Sequence, residues 1–323
     1  MDRLRRLTRV RLMALLMLIL FSISAVACQP AWAPSDVSEA EIQHLLELYE
    51  HEQMMSWVKD LTSEAFGGRE AGTEYEDLAG DYIIDLLQSF GLEPWREAGF
   101  DDYRQAFSIP SSEETAENII AVLPGESSDK YVLIGAHYDH IGIINGELHP
   151  GADDNAVGTA AVLEIARIFS ESGFTPQYSV VFVLFGAEEK GLIGSQILAQ
   201  HLQEKKLAQN VVLLNLDVIA GVSGNTLVVY DSRFKGNKIW AKRAKEEAVA
   251  SGVQASIEGR LAGGVDSMAF TMRSIPAITL VWGNLRDEHP HLHTPNDTFE
   301  NLNPEIVDMA SRAAIRIAWA FAN

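Results

Sequence analysis

The sequence is short of cysteine, with one thiol, Cys28, in 323 residues. An intramolecular disulfide is therefore excluded, and stability has to come from a buried core and any bound ion. Basic residues are scarce as well: 25 Lys and Arg face 45 Asp and Glu, a formal net charge of -20. Nucleic-acid binding depends on neutralising phosphates with Lys and Arg, so a nucleic-acid partner is excluded. No low-complexity tract or fixed-period repeat occurs. The N-terminal apolar run, Leu12 to Phe21, falls short of the ~20 residues that a membrane-spanning helix needs.

That run is one part of a three-part pattern. Arg3, Arg5, Arg6, Arg9 and Arg11 precede it, and mostly small residues follow from Ser22 to Ala27. Residues 1–27 therefore read as a secretory signal and not as part of the fold. Its removal leaves 20 basic and 44 acidic side chains, a net of -24. Cys28 comes directly after Ala25-Val26-Ala27. This resembles the lipobox of bacterial lipoproteins, whose acylated Cys becomes the mature N-terminus, although position 25 is Ala where the lipobox usually has Leu. The expectation is an exported protein anchored at the cell envelope through a lipidated Cys28, its only contact with a membrane. The alternative is a secreted or periplasmic protein, cleaved near Ala27 or at Ala31-Trp32-Ala33. Residues 28–36 read as a tether, and 37–323 as one domain without an internal linker.

Helical spacing runs from Val37 to about Lys59 (Ile42, Leu45, Leu46, Tyr49) and from Tyr75 to Phe90, where Gly91 is a natural stop. Between them lies the glycine-rich loop Phe66-Gly67-Gly68-Arg69-Glu70-Ala71-Gly72-Thr73. Beyond residue 115 the rhythm changes. Apolar strand-like runs at 118–123, 131–136, 179–186, 211–218, 227–230 and 276–282 alternate with helical patterns at 156–170, 191–204, 236–251 and 304–322. Val, Ile and Leu runs without polar alternation are the mark of strands buried on both faces. The expected fold class is α/β: a mixed, mostly parallel central sheet sandwiched by helices.

The chemistry-bearing residues cluster where these strands end. The strand 131–136 ends in His137-Tyr138-Asp139-His140, 179–186 in Ala187-Glu188-Glu189-Lys190-Gly191, and 211–216 in Asp217. Sites in open α/β sheets form outside the carboxyl ends of the strands. Three strands thus deliver His, a Glu pair and Asp to one edge. Gly151-Ala152-Asp153-Asp154-Asn155-Ala156-Val157-Gly158 opens the next helix, and His291-Leu292-His293-Thr294-Pro295-Asn296-Asp297-Thr298 precedes the last one. Singly, each has a plain structural reading; Asp153 or Asp154 would cap a helix. Two adjacent carboxylates after a buried strand are costly unless a cation compensates them. Imidazole and carboxylate suit zinc, and the lack of further Cys excludes a thiolate site.

The stretches HYDH (137–140), GADDNAVG (151–158), AEEKGLIGS (187–195), NLD (215–217) and HTPNDT (293–298) resemble the dizinc aminopeptidases, the family of secreted bacterial leucyl aminopeptidases and aminopeptidase Y. LTSEAFGGREAGT (61–73) is similar to that family's N-terminal part. The resemblance covers about residues 60–323 and implies the zinc exopeptidase fold (phosphorylase/hydrolase-like) for the domain 37–323, with two Zn2+ ions. It implies His137 and Asp217 on one ion, Glu189 and His293 on the other, and Asp154 bridging both through a cis peptide with Asn155. Asp139 would orient His137, as metal-bound imidazoles require, and Glu188 would be the general base. The substrates implied are peptides with a free N-terminus.

One stretch departs from the family. Ser-Asp-His before an aromatic becomes Val265-Asp266-Ser267-Met268-Ala269-Phe270, keeping Asp266 for substrate binding while Ser replaces His. His140, His149, His289 and His291 are expected at the pocket rim or surface. Two other activities stay open on this fold: glutaminyl cyclase-like acyl transfer, and a carboxypeptidase or dipeptidase receiving the substrate carboxylate on Arg260, Arg273 or Arg286.

Overall fold

The computed structural model describes Pro34, residues 37–259, Leu261 and residues 263–323. The expected signal sequence, Cys28, the tether except for Pro34, and Arg260 lie outside these described residues.

Ten strands are described: β1 (Arg104–Ser108), β2 (Thr115–Leu123), β3 (Ser127–His137), β4 (Ile143–Ile144), β5 (Glu147–Leu148), β6 (Tyr178–Phe185), β7 (Val211–Leu216), β8 (Thr226–Tyr230), β9 (Gln254–Glu258) and β10 (Ala277–Trp282). The α-helices are α1 (Glu39–Leu48), α2 (His51–Leu61), α3 (Glu74–Ser89), α4 (Val157–Glu171), α5 (Ile193–Glu204), α6 (Lys238–Ala250), α7 (Asp266–Thr271) and α8 (Pro304–Ala322). Eight strands form one sheet in the order β1-β2-β6-β3-β7-β10-β8-β9, and β4 and β5 form a separate hairpin. The central four strands, β6, β3, β7 and β10, run parallel. The flanking β1, β2 and β8 pair antiparallel to their inner neighbours.

β6, β7 and β10 are buried almost end to end and β3 from Tyr131 onward, as their mostly apolar runs require. On one face Leu133, Val181, Val183, Phe185 and Leu213 pack against Leu198 and Leu202 of α5 and Phe270 of α7. The other face receives α4 and α8, with Phe169 against Phe182 and Trp319. The sheet is thus covered on both faces, which matches the expected class.

Two local readings change. The single helix expected over 37–59 is two, broken at Tyr49-Glu50. No Pro or Gly marks the break; it is made by α4, where Glu164 accepts from the Glu50 amide at 2.8 Å and Arg167 donates to the Leu48 carbonyl at 2.6 Å. The second change is at the sheet edges. β1 and β9 give little sequence signal because edge strands are short and only partly buried.

Candidate metal centre

Because β6, β3 and β7 are parallel neighbours, their carboxyl ends share one edge. β3 ends on His137, β6 leads into Glu188 and Glu189, and β7 leads into Asp217. The chain leaves these strands through left-handed residues, Ala187 (φ 54°) and Val218 (φ 44°). For a β-branched residue such as Val218 that conformation is a true outlier, of a kind that clusters at functional sites.

His137 Nε2 faces Asp154 Oδ1 at 3.2 Å and Asp217 Oδ1 at 3.5 Å. His293 Nε2 faces Asp154 Oδ2 at 3.0 Å and Glu189 Oε1 at 3.2 Å. Asp154 therefore offers one oxygen to each imidazole. All five residues named from sequence as ligands meet here, in two sets that share Asp154. The peptide between Asp154 and Asn155 is cis. Asp153 points away: its Oδ1 accepts from the Ala220 amide at 3.0 Å and its Oδ2 pairs with His289 Nδ1. Asp297 fixes the loop by accepting the Asp153 and Asp154 amides at 2.9 and 3.1 Å.

Several expectations are corrected. Asp139 orients His137 through its main-chain carbonyl, which accepts from Nδ1 at 3.1 Å. Its carboxylate is 3.8 Å from that nitrogen. Instead it accepts the Glu188 and Glu189 amides at 3.0 and 3.2 Å, because the turn at Ala187 points both N–H groups at it. Asp266, expected at the substrate, is fully buried, and Gly263, Gly264 and Val265 line the hollow in its place. The substituted Ser267 shares a hydrogen bond of 2.6 Å with Thr279 Oγ1 inside the core. His140, His149 and His289 are buried, not at the rim, since the loops fold over them.

His140 needs separating from the ligand set. His140, Asp154 and Glu189 place ligand atoms within 4.8 Å of one another, as do His137, Asp154 and Asp217. A ligating imidazole donates its second N–H to a partner, as His137 does. Nε2 of His140 is buried and has no partner among the described residues, while Nδ1 lies 3.0 Å from Glu189 Oε1. A proton on Nδ1, donated to Glu189, leaves only a bare lone pair; a proton on Nε2 would leave a buried donor unmet. His140 is thus a donor that orients Glu189.

Arg69, in the loop before α3, is a residue that sequence reasoning passed over. Its buried guanidinium donates to the carbonyls of Tyr138 (2.7 Å), Leu61 (2.7 Å), Pro150 (2.8 Å) and Gly151 (2.9 Å). Burial pulls its pKa down to about 10, against the pull of Asp297, Asp139, Asp154 and Glu189, so it stays charged at neutral pH. It ties the HYDH segment to the loop carrying Asp154. An Arg enclosed by glycines was the available signal. Arg69→Met is expected to cost about 3–5 kcal/mol by taking the donor from the carbonyls of Tyr138, Leu61 and Pro150, while that of Gly151 keeps the Ala156 amide at 3.1 Å. Arg69→Lys keeps the charge but not the fork and falls between. Urea unfolding measures both, and a Met variant within ~1 kcal/mol of the parent would contradict this role.

The electrostatics call for a cation. Burial pushes Glu188 well above the usual carboxylate range, and Asp266, Asp217 and Asp139 add to the effect. Burial also pushes Asp139 and Asp266 up to about 7. Burial opposes charge on His137, but Glu188, Asp154 and Asp217 outweigh it and hold the imidazole well above its ordinary value. Asp154 and Glu189 go the other way. Against burial, hydrogen bonds from His137 and His293 hold Asp154 well below the usual carboxylate range, and those from His140 and His293 hold Glu189 down to about 2. Protonated imidazoles thus stand here where a bound cation would. Two imidazoles and three carboxylates, without thiolate, are a donor set that fits zinc.

These residues line a hollow of about 400 Å3. Leu192, Val218, Leu261, Val265, Leu285 and Leu292 supply its apolar wall. No Lys or Arg lines it among the described residues.

The sequence pattern of peptidase family M28 matches residues 118–318. Aminopeptidase YwaD of Bacillus subtilis is 30% identical over 204 residues, 61% of this chain and 43% of that protein. Leupeptin-inactivating enzyme 1 of Streptomyces exfoliatus is 28% identical over 303 residues, 89% and 65% of the two chains. The chain thus spans less than two thirds of either relative's length. Among solved structures, BSAP, a zinc aminopeptidase from Bacillus subtilis, superposes with TM-score 0.68 at 19% identity, covering 83% of this chain and 94% of that one. Porphyromonas gingivalis glutaminyl cyclase superposes with TM-score 0.67 at 23% identity, over 84% and 98%. The fold is common to hydrolase and cyclase, and only the site can choose between them.

Proposed function

The chain belongs to peptidase family M28, and from that premise we propose that it is a zinc-dependent aminopeptidase that removes N-terminal residues from peptides. The observation carrying this reading is the pair of donor sets sharing Asp154, with Glu188 beside them. His137 and Asp217 would hold one zinc, Glu189 and His293 the second, and Asp154 both. When bound, zinc supplies Lewis acidity, making water a better nucleophile near neutral pH and the scissile carbonyl a better electrophile.

The remaining work falls to the chain's own groups. Glu188 accepts a proton on its carboxylate as water adds to the carbonyl carbon. It returns that proton to the nitrogen of the leaving peptide as the C–N bond breaks. Asp139 keeps Glu188 in place through its amide. The acidic surroundings favour a substrate that brings a free amine, and the leucine-rich wall favours an apolar first side chain.

Two donor sets sharing one carboxylate are the arrangement of two-metal aminopeptidases, which supports hydrolysis over acyl transfer. A carboxypeptidase or dipeptidase needs a cation beside the scissile bond, and none of the described Lys or Arg residues lines this hollow. Zinc-loaded protein is expected to release arylamine from leucyl arylamide, followed by absorbance, and to stop when a chelator is added. The same substrate with a blocked N-terminus should remain intact. Equal cleavage of both would refute an aminopeptidase.

A further inference from the structure

A second hollow, of about 430 Å3, shares one lining residue, Gly191, with the metal-lined one. Gly191 has φ +106°, a conformation that favours glycine, and a Cβ built there would touch nothing within 4 Å. The space beside this shared residue is therefore open, its two chain neighbours aside. Ile109, Pro110, Ile193 and Ile197 give the second hollow its apolar lining, and its charged lining residues are Lys190 and Arg273. In a chain of net charge -20, two cations and no carboxylate along one hollow is an uneven distribution.

The two cations are not equivalent. Lys190 Nζ is already paired with Glu70 Oε1 at 2.6 Å. Arg273 Nη1 makes only a long contact, 3.4 Å to the Ala269 carbonyl, and the guanidinium has no ion pair among the described residues. Its fork of donors is suited to a carboxylate. A third hollow, reached past Leu261 and Val265, is lined by Tyr230, Met268 and Met272 among others and has no charged lining residue. The charge favours the Arg273 side for an anionic occupant.

We propose that the hollow beyond Gly191 receives the tail of short peptide substrates, with Arg273 binding their C-terminal carboxylate. This rests on the aminopeptidase reading above. It makes Arg273 a specificity-determining residue and the preferred substrates short peptides with a free C-terminus. The reach is set by how many residues span the path from the metal-lined hollow across Gly191, at up to ~3.3–3.6 Å per residue.

The test is a ladder of Leu-(Gly)n peptides, each made as the free acid and as the C-terminal amide, assayed with the zinc-loaded full chain. At one length the acid should exceed the amide about tenfold in kcat/KM, mostly through KM, the scale of one charge-assisted Arg–carboxylate contact. Arg273→Ala should erase that preference and leave leucyl arylamide turnover unchanged, which also verifies the variant's fold. Equal rates for acid and amide at every length, or a preference that survives in Arg273→Ala, overturns the proposal. If no peptide is cut in either form, the aminopeptidase reading itself has failed.

Discussion

Glu188→Gln is expected to lower kcat by about 10²–10⁴-fold, the range for losing a positioned general base, with zinc content unchanged. The substitution keeps the side chain's shape and its amide's bond to Asp139 Oδ1. It removes only the ability to take a proton from water and return it to the leaving nitrogen. Glu188 is not among the groups facing His137 Nε2 or His293 Nε2 at ion-pair distance, whereas Asp154, Asp217 and Glu189 are. Losing it should therefore spare the ions. The measurement pairs kcat on leucyl arylamide with zinc per protein by elemental analysis. A fall smaller than ~10-fold, or a protein that also loses zinc, would remove Glu188 from the proposed role.

Asp154→Ala should abolish activity by a different route, through the metals. Among the described residues Asp154 is the one carboxylate at ion-pair distance from Nε2 of both imidazoles, 3.2 Å from His137 and 3.0 Å from His293. Without it each set keeps only two protein donors. Zinc affinity, measured by competition with a chromophoric chelator, is expected to fall by well over the ~10–100-fold typical of losing a supporting group. Asp153→Asn is the control. It loosens the pairing with His289 behind the loop but removes no donor, so its loss should stay within that ~10–100-fold range. The opposite order, Asp153 mattering more than Asp154, would exchange their roles.

The fold class and the edge of the sheet carrying the site were legible in the residues. Long Val, Ile and Leu runs buried on both faces announce themselves because polar residues inside them are few, Asn215 in β7 and Thr279 in β10, and β3, β6, β7 and β10 all lie where such runs predict. The break between α1 and α2 was not legible, because side chains of α4, over 100 residues away, take up the freed backbone groups. The six-residue helix α7 lacks the length for a periodic signal, and β1 and β9, no shorter than β8, lack its run of buried apolar residues.

The sequence supplied the types and order of the five metal-facing residues, and strand ends placed three of them, His137, Glu189 and Asp217, since a buried strand's exit lies at the sheet edge; Asp154 and His293 precede helices and were singled out by the family resemblance. Tertiary structure turns Asp154 between the imidazoles and Asp153 away from them, as the resemblance implied, and it decided that His140 donates to Glu189 without joining the donor set. It also decided that Arg69 braces the loops and that Asp266 lies beneath the hollow. Each of these depends on which way a side chain turns among partners from distant segments, a choice made by packing and hydrogen bonding after the chain has folded.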